Sequence, residues 1–418
     1  MKEDLLHFIW QQKVLLKNEL RTTDGKLIEV VKTGSLNQDA GPDFFNARIK
    51  IDDTLWAGNV EIHLKSSDWV KHKHHTDKAY NNVILHVVYD HDAELNIPTL
   101  ELKNYLSKNF LSGYYSMQQS ALRVPCQNML SLPEKIKLDL FLHRLSVERL
   151  EQKCAALERQ LTQYQNSWEK LFYVTIAKYF GMKINAEPFV QLAQNIPAAL
   201  FAKHKHNLTQ INSLVFGVSG FLPSLHPDDY TNQMQNEFLF LQTKYELPQI
   251  NKSTWKFAKT RPANFPTIRL AQFAALVYQS VHLFSKIIES ETLQEVKKLL
   301  LVSPTDKLNL NTLHHANHIV KPVMGEQFLN HLIINAIVPI KFLYGKHMLN
   351  ETYCEQALNW LEEIEPENNS IVKFWKTSGI KPKHALHSQA LIQLNYNYCT
   401  QHKCLNCAIG NHILNQHV

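Results

Sequence analysis

The residues best placed to do chemistry lie in GPDFFNARIKIDDTLWAGNVEIHLKSSDW, residues 41–69. Asp43 follows a Gly-Pro pair and opens one expected strand, while Glu61, His63 and Lys65 take alternate positions on the next and so share a face. If the two strands form a hairpin about Asp52-Asp53, the Asp43 carboxylate comes beside Glu61, where two carboxylates can share a cation. Next comes a histidine loop. His72, His74 and His75, with Asp77, offer the nitrogen and oxygen donors of a transition-metal site, or else a polar, weakly basic loop able to touch phosphate. The third group is the C-x4-C-x2-C run of Cys399, Cys404 and Cys407, with His402 inside it and His412 after it. Thiols this closely clustered suit zinc, for which His412, His402 or the distant Cys126 would supply the fourth ligand. Each group also has a plain structural reading. Asp43 would cap a turn, Glu61, His63 and Lys65 would be the solvated face of a strand, His86 a hydrogen-bonded core histidine, and the cysteines ordinary packing residues.

The first group resembles the PD-(D/E)XK nucleases. Pro42-Asp43 stands for the PD, and Glu61-Ile62-His63 for the E-x-K with histidine in the lysine place. The resemblance implies that Asp43 and Glu61 hold Mg²⁺, and that His63, or Lys65 on the same face, orients water or phosphate. It also implies that the following helical segment, with His74, Asp77 and Tyr80, braces the substrate strand. Some nucleases of this type hold an iron–sulfur cluster on one remote cysteine and a C-terminal group of three. Cys126 with Cys399, Cys404 and Cys407 would copy that, except that the lone cysteine here follows the carboxylates instead of preceding them.

The flanking sequence agrees with a core of helix, three strands, helix and one or two strands. Residues 4–20 have apolar side chains on one side (Leu5, Leu6, Ile9, Trp10, Val14, Leu15, Leu16); 27–34, 45–52 and 54–66 read as strands; 83–90 reads as a buried central strand and 98–104 as a further one. From about residue 133 the spacing is helical, through 168–202, 208–218, 268–300 and 327–364, with 221–267 and its five prolines expected as irregular connections. A last helix is expected from His387 to Tyr396. The expectation is therefore an α+β protein. It comprises a restriction-endonuclease-like mixed sheet in residues 1–125, a mainly helical region in 126–380, and a helix with a Cys-rich tail in 381–418.

Composition sets wide bounds. The 418 residues are 44% hydrophobic and 20% charged, ordinary for a globular chain, and a net charge of +6 is compatible with a nucleic-acid partner without requiring one. No signal-peptide pattern and no continuous apolar run of about 18 residues is present, so the expectation is a cytoplasmic location and no membrane partner.

Taken together, GPDFFNARI, GNVEIHLKSSDW, the H-x-H-H-x-D loop, LVFGVSGFL, RPANFPTIRLAQ and YCTQHKCLNCAIG resemble the bacterial family labelled domain of unknown function 2851. That resemblance implies a bacterial cytosolic protein and no activity. The functional expectations rest on the residues above: a Mg²⁺-dependent nuclease acting on DNA or RNA, a non-catalytic nucleic-acid-binding or scaffold protein on a degenerate nuclease fold, or a His/carboxylate metallohydrolase.

Overall fold

A computed structural model describes residues 1–14, 19–225, 227–280, 282–305, 307–308 and 323–416. The chain divides into two compact units. The first comprises Met1–Leu142, Thr377–Gly379 and Leu391–Val418, and the second comprises His143–Lys376 and Ile380–Ala390. The Cys-rich segment, expected as a tail of its own, thus folds with the sheet. The architecture is α+β.

The first unit opens with helix α1 (Glu3–Gln11), shorter than the expected 4–20, because the chain leaves the helix at Lys13 with φ of +55°. Leu15 and Leu16 lie outside the described residues. The strands that follow are β1 (Leu20–Arg21), β2 (Leu27–Lys32), β3 (Ser35–Leu36), β4 (Phe44–Ile51) and β5 (Thr54–Lys65). After a helical turn, α2 (Asp68–Lys71), come β6 (Val83–Asp90) and β7 (Thr99–Glu101), then α3 (Lys108–Gln118). The sheet order is β1-β2-β4-β5-β6-β7, with β3 paired to β4. The β2, β4 and β5 strands form an antiparallel meander, whereas β6 lies parallel to β5 and β7 parallel to β6. The three long strands and β6 occur where the alternation of apolar residues put them. The two-residue strands β1 and β3 carry too little pattern to be read from sequence. A parallel pair buried on both faces explains why β6 reads VILHVVYD, an almost unbroken apolar run with one histidine.

The second unit is helical. Its core buries large aromatics, including Phe180, Phe189, Phe216, Phe273 and Trp360. The span 221–267, expected to be irregular, contains a helix from Asp229 to Tyr245. It starts because the Asp228 carboxylate accepts from the Thr231 N–H at 2.7 Å, and its polar composition hid its apolar stripe of Met234, Phe238 and Leu241. Among the described residues one helical stretch, Glu326–His347, is long and apolar enough to cross a membrane, and it is mostly buried in the protein, as a core helix is. Lys341 on that stretch is fully buried, yet its ammonium donates to the Ile288 and Ser290 carbonyls at 2.9 and 2.7 Å.

The close approach of β5 to β6 depends on Gly58. A Cβ there would lie 2.4 Å from Ile84 Cγ2 and 2.6 Å from the Asn82 carbonyl oxygen. Because the second obstacle is backbone, Gly58→Ala should destabilise the first unit by about 1–3 kcal/mol, read as a lower denaturant midpoint with an unchanged slope.

Candidate functional site: a carboxylate pair within a histidine cluster

Asp43 and Glu61 are brought together by reciprocal bonds between neighbouring strands. The Asp43 N–H donates to Glu61 Oε2 at 3.1 Å, and the Ile62 N–H donates to Asp43 Oδ2 at 2.9 Å. The cause is local: the β4–β5 register shifts between Phe44 and Ala47, where Asn46 sits at φ +59°. A bulge of this kind bends its strand and re-aims the residue before it. Asp43 therefore does more than cap a turn, and Glu61 and His63, at 5% and 2% exposure, are buried and not a solvated face.

Histidines surround Glu61. Its Oε1 lies 3.4 Å from His63 Nε2 and 3.3 Å from His74 Nε2. His72 Nδ1 lies 3.1 Å from His63 Nε2, and ligand atoms of His63, His72 and His74 all fall within 4.8 Å of one another. Lys73, at φ +63°, turns the chain so that His72 and His74 face the same cluster from opposite sides of one residue. Tyr80 stacks on the His74 ring at 3.7 Å, and Trp69 packs edge-on against both. Beneath, His63 Nδ1 lies 2.9 Å from His86 Nε2. If His63 donates its Nδ1 proton to His86, its Nε2 lone pair is presented to the cluster, the tautomer a metal would need. His86 is thus the hydrogen-bonded core histidine expected from sequence, with a second use.

Helix α1 adds two residues that sequence reading missed. His7 Nε2 lies 3.3 Å from Asp43 Oδ2, and Glu3, one helical turn earlier, is close enough for the Asp43 charge to disfavour its ionisation. The available signal was a histidine between buried Leu6 and Phe8.

The remaining residues fall elsewhere. Lys65 is exposed and reaches Asp92 at 3.6 Å instead of the acid pair. Asp77 caps the turn before Tyr80 by accepting from the Ala79 N–H at 2.9 Å, and His75 is exposed, so neither joins the histidine cluster. Cys126, Cys399, Cys404 and Cys407 are all buried in the first unit. His402 meets the Met117 carbonyl through Nδ1 at 3.0 Å, and His412 Nε2 lies 3.2 Å from Gln416 Nε2.

Electrostatics separate the groups by role. Burial, then the Asp43 charge, pushes the Glu61 carboxyl up to about 8. Burial, then His72 and His74, pushes His63 down to about 4, and burial with His63 pushes His86 down to about 3. Both rings are therefore neutral, the form in which imidazole ligates metals. Burial opposes charge on His7, but the Asp43 carboxylate outweighs it and raises the pKa. The donors present, neutral imidazoles beside carboxylates, fit a zinc- or iron-class ion better than Mg²⁺, which prefers oxygen.

These shifts set the pH response of the metal-free chain. Glu61 binds its proton more tightly when folded, so its contribution is complete below its ordinary 4.5 and is lost as pH rises toward about 8. His7 acts with the same sign above its ordinary 6.5, whereas His63 contributes above 6.5 and loses that as pH falls toward about 4. In chelator, the melting temperature should therefore peak near pH 6.5, where the gain from neutral His63 is complete and the losses from Glu61 and His7 begin to act unopposed, and Glu61→Gln should flatten its alkaline decline. A decline of equal steepness in Glu61→Gln contradicts the assignment.

No curated protein and no solved structure matches the chain. Residues 3–370 match the family model described as protein of unknown function (DUF2851), and the chain belongs to that family.

Proposed function

We propose that the first unit is a metal-dependent phosphodiester hydrolase acting on nucleic acid. The observation that carries this reading is the reciprocal bonding of Asp43 and Glu61, which holds two carboxylates at the edge of three clustered imidazoles. Asp43, Glu61, His63, His72 and His74 would hold the ion. When bound, it would polarise the scissile phosphate and lower the pKa of an attacking water.

The chain's own residues do the rest. The Ile62 N–H and His7 orient Asp43. Glu61, held at Oε2 by the Asp43 N–H, presents Oε1 to the imidazoles and so to the ion. His86 holds His63 in place, and Tyr80 with Trp69 confines His74. Lys73 and Lys78, exposed on the same loop, supply positive charge for a polyanion. The order of helix, antiparallel meander and parallel strand is the order of the PD-(D/E)XK core, which supports this substrate class by fold analogy. The Mg²⁺ and Lys65 of the sequence expectation give way here to a transition metal and to His72 and His74, because nitrogen donors surround Glu61 and Lys65 pairs with Asp92.

The test is cleavage of labelled DNA and RNA by the full chain, stripped with chelator and supplied in turn with Mg²⁺, Mn²⁺ or Zn²⁺. Cleavage should need metal, favour a transition ion over Mg²⁺, and fall by about a hundredfold or more in Asp43→Ala and in Glu61→Ala. Salt-sensitive binding without cleavage under every metal would instead support the non-catalytic reading.

A further inference from the structure

A second set of potential ligands lies in the first unit, apart from the carboxylates. Cys126, Cys399, Cys404 and Cys407 are only 6–7% exposed. They come from the two ends of a discontinuous unit, Cys126 from Met1–Leu142 and the other three from Leu391–Val418. Side chains join these ends on either side of Cys126. Gln118 Nε2 donates to the His402 carbonyl at 2.9 Å, Arg123 Nε donates to Asn395 Oδ1 at 3.2 Å, and Gln416 Nε2 donates to Ser131 Oγ at 3.1 Å. The helix that follows the C-terminal cysteines, Ala408–Asn415, packs closely on Cys404. Gly410 has no room for a Cβ, which would lie 2.3 Å from the Cys404 carbonyl oxygen.

The buried thiols lie near enough to act on one another's charge, although their sulfurs do not together close to the 4.8 Å that the imidazole ligand atoms reach. After burial, the charges that oppose ionisation of Cys399 are those of Cys407, Cys126 and Cys404; for Cys404 they are Cys126 and Cys407, and for Cys126 it is Cys407. His402 turns Nδ1 to the Met117 carbonyl and His412 Nε2 lies beside Gln416, whereas Cys126 is a buried thiol on the segment that Gln118 and Arg123 tie to the C-terminal end, which favours it as the companion of the clustered three. The thiols of the second unit differ. Cys154 donates to the Pro339 carbonyl at 3.4 Å and Cys354 to the Phe342 carbonyl at 3.5 Å, as packing cysteines do. Among the described residues Cys126, Cys399 and Cys404 have no such acceptor.

We propose that Cys126, Cys399, Cys404 and Cys407 form a tetrathiolate metal centre, occupied by zinc or an iron–sulfur cluster, that clasps the two ends of the first unit. Four buried thiolates select a thiophilic ion. On binding, each thiol releases its proton to solvent as its sulfur donates a lone pair to the metal, which removes the repulsion that would otherwise keep these groups protonated.

X-ray absorption at the metal edge tests the proposal on full-length protein purified anaerobically from medium containing iron and zinc. A sulfur shell at about 2.3 Å is expected. Colourless stoichiometric zinc identifies one form, and a brown chromophore with acid-labile sulfide identifies the other. Cys126→Ser and Cys404→Ser should each lose that shell, while His412→Ala retains it, and chelation should raise hydrogen exchange in residues 391–416 while leaving the second unit protected. If the cysteine variants do not fold, the wild-type spectrum still decides. A shell of nitrogen and oxygen alone, or no metal, overturns the clasp, and neither outcome bears on the carboxylate site, whose own ion has no sulfur ligand.

Discussion

The first unit is organised around one exchange of hydrogen bonds, in which Asp43 and Glu61 each accept from the other's strand. A buried carboxylate is costly unless its oxygens are occupied, and these bonds meet part of that cost with backbone donors the sheet already holds in place. The β4 bulge sets this exchange: continuing the pairing of Ala47 with Gly58 unshifted would put Asp43 opposite Ile62, whereas the shifted register, in which Phe44 pairs with Val60, puts it opposite Glu61. What remains uncompensated appears as the raised pKa of Glu61 and as the neutral rings gathered round its second oxygen. A bound cation would relieve the same strain, since it attracts both carboxylates and accepts imidazole lone pairs without placing a proton in the site.

The arrangement is layered. Glu61 and the histidines stand at the centre; His7 meets Asp43 and His86 meets His63; Trp69 and Tyr80 pack on the His74 ring. Support of this kind sets ligand orientation as much as the ligands do. It also gives a use to a histidine in a strand otherwise made for the core: His86 Nε2 holds His63 through its Nδ1 at 2.9 Å.

Much of this could be read from the sequence, for physical reasons. Alternation in β5 placed Glu61 and His63 on one face, and the hairpin that Asp52-Asp53 announces brought Asp43 back toward them, but the bulge at Asn46 that sets Asp43 opposite Glu61 left no mark in the pattern. The histidine loop was visible as composition, but choosing His72 and His74 over His75 depended on the left-handed Lys73, and lysine does not advertise a positive φ. His7 and Glu3 were illegible because their partner is some forty positions away, and a helix pattern reports which face is buried, not what it meets. The helix at Asp229–Tyr245 was missed because prolines nearby and a polar composition outweighed a short apolar stripe. That the segment carrying Cys126 is bonded to the segment carrying the C-terminal cysteines is likewise a tertiary fact, since most of the second unit intervenes in the chain.

The central claim is that Asp43, Glu61 and the neighbouring imidazoles make one metal site. The most direct measurement is anomalous scattering from crystals of the protein soaked in Mn²⁺ or Zn²⁺. The account predicts a peak bonded to Glu61 and to at least two of His63, His72 and His74. An ordered site with no peak, in crystals whose soaked ion binds elsewhere, would contradict it.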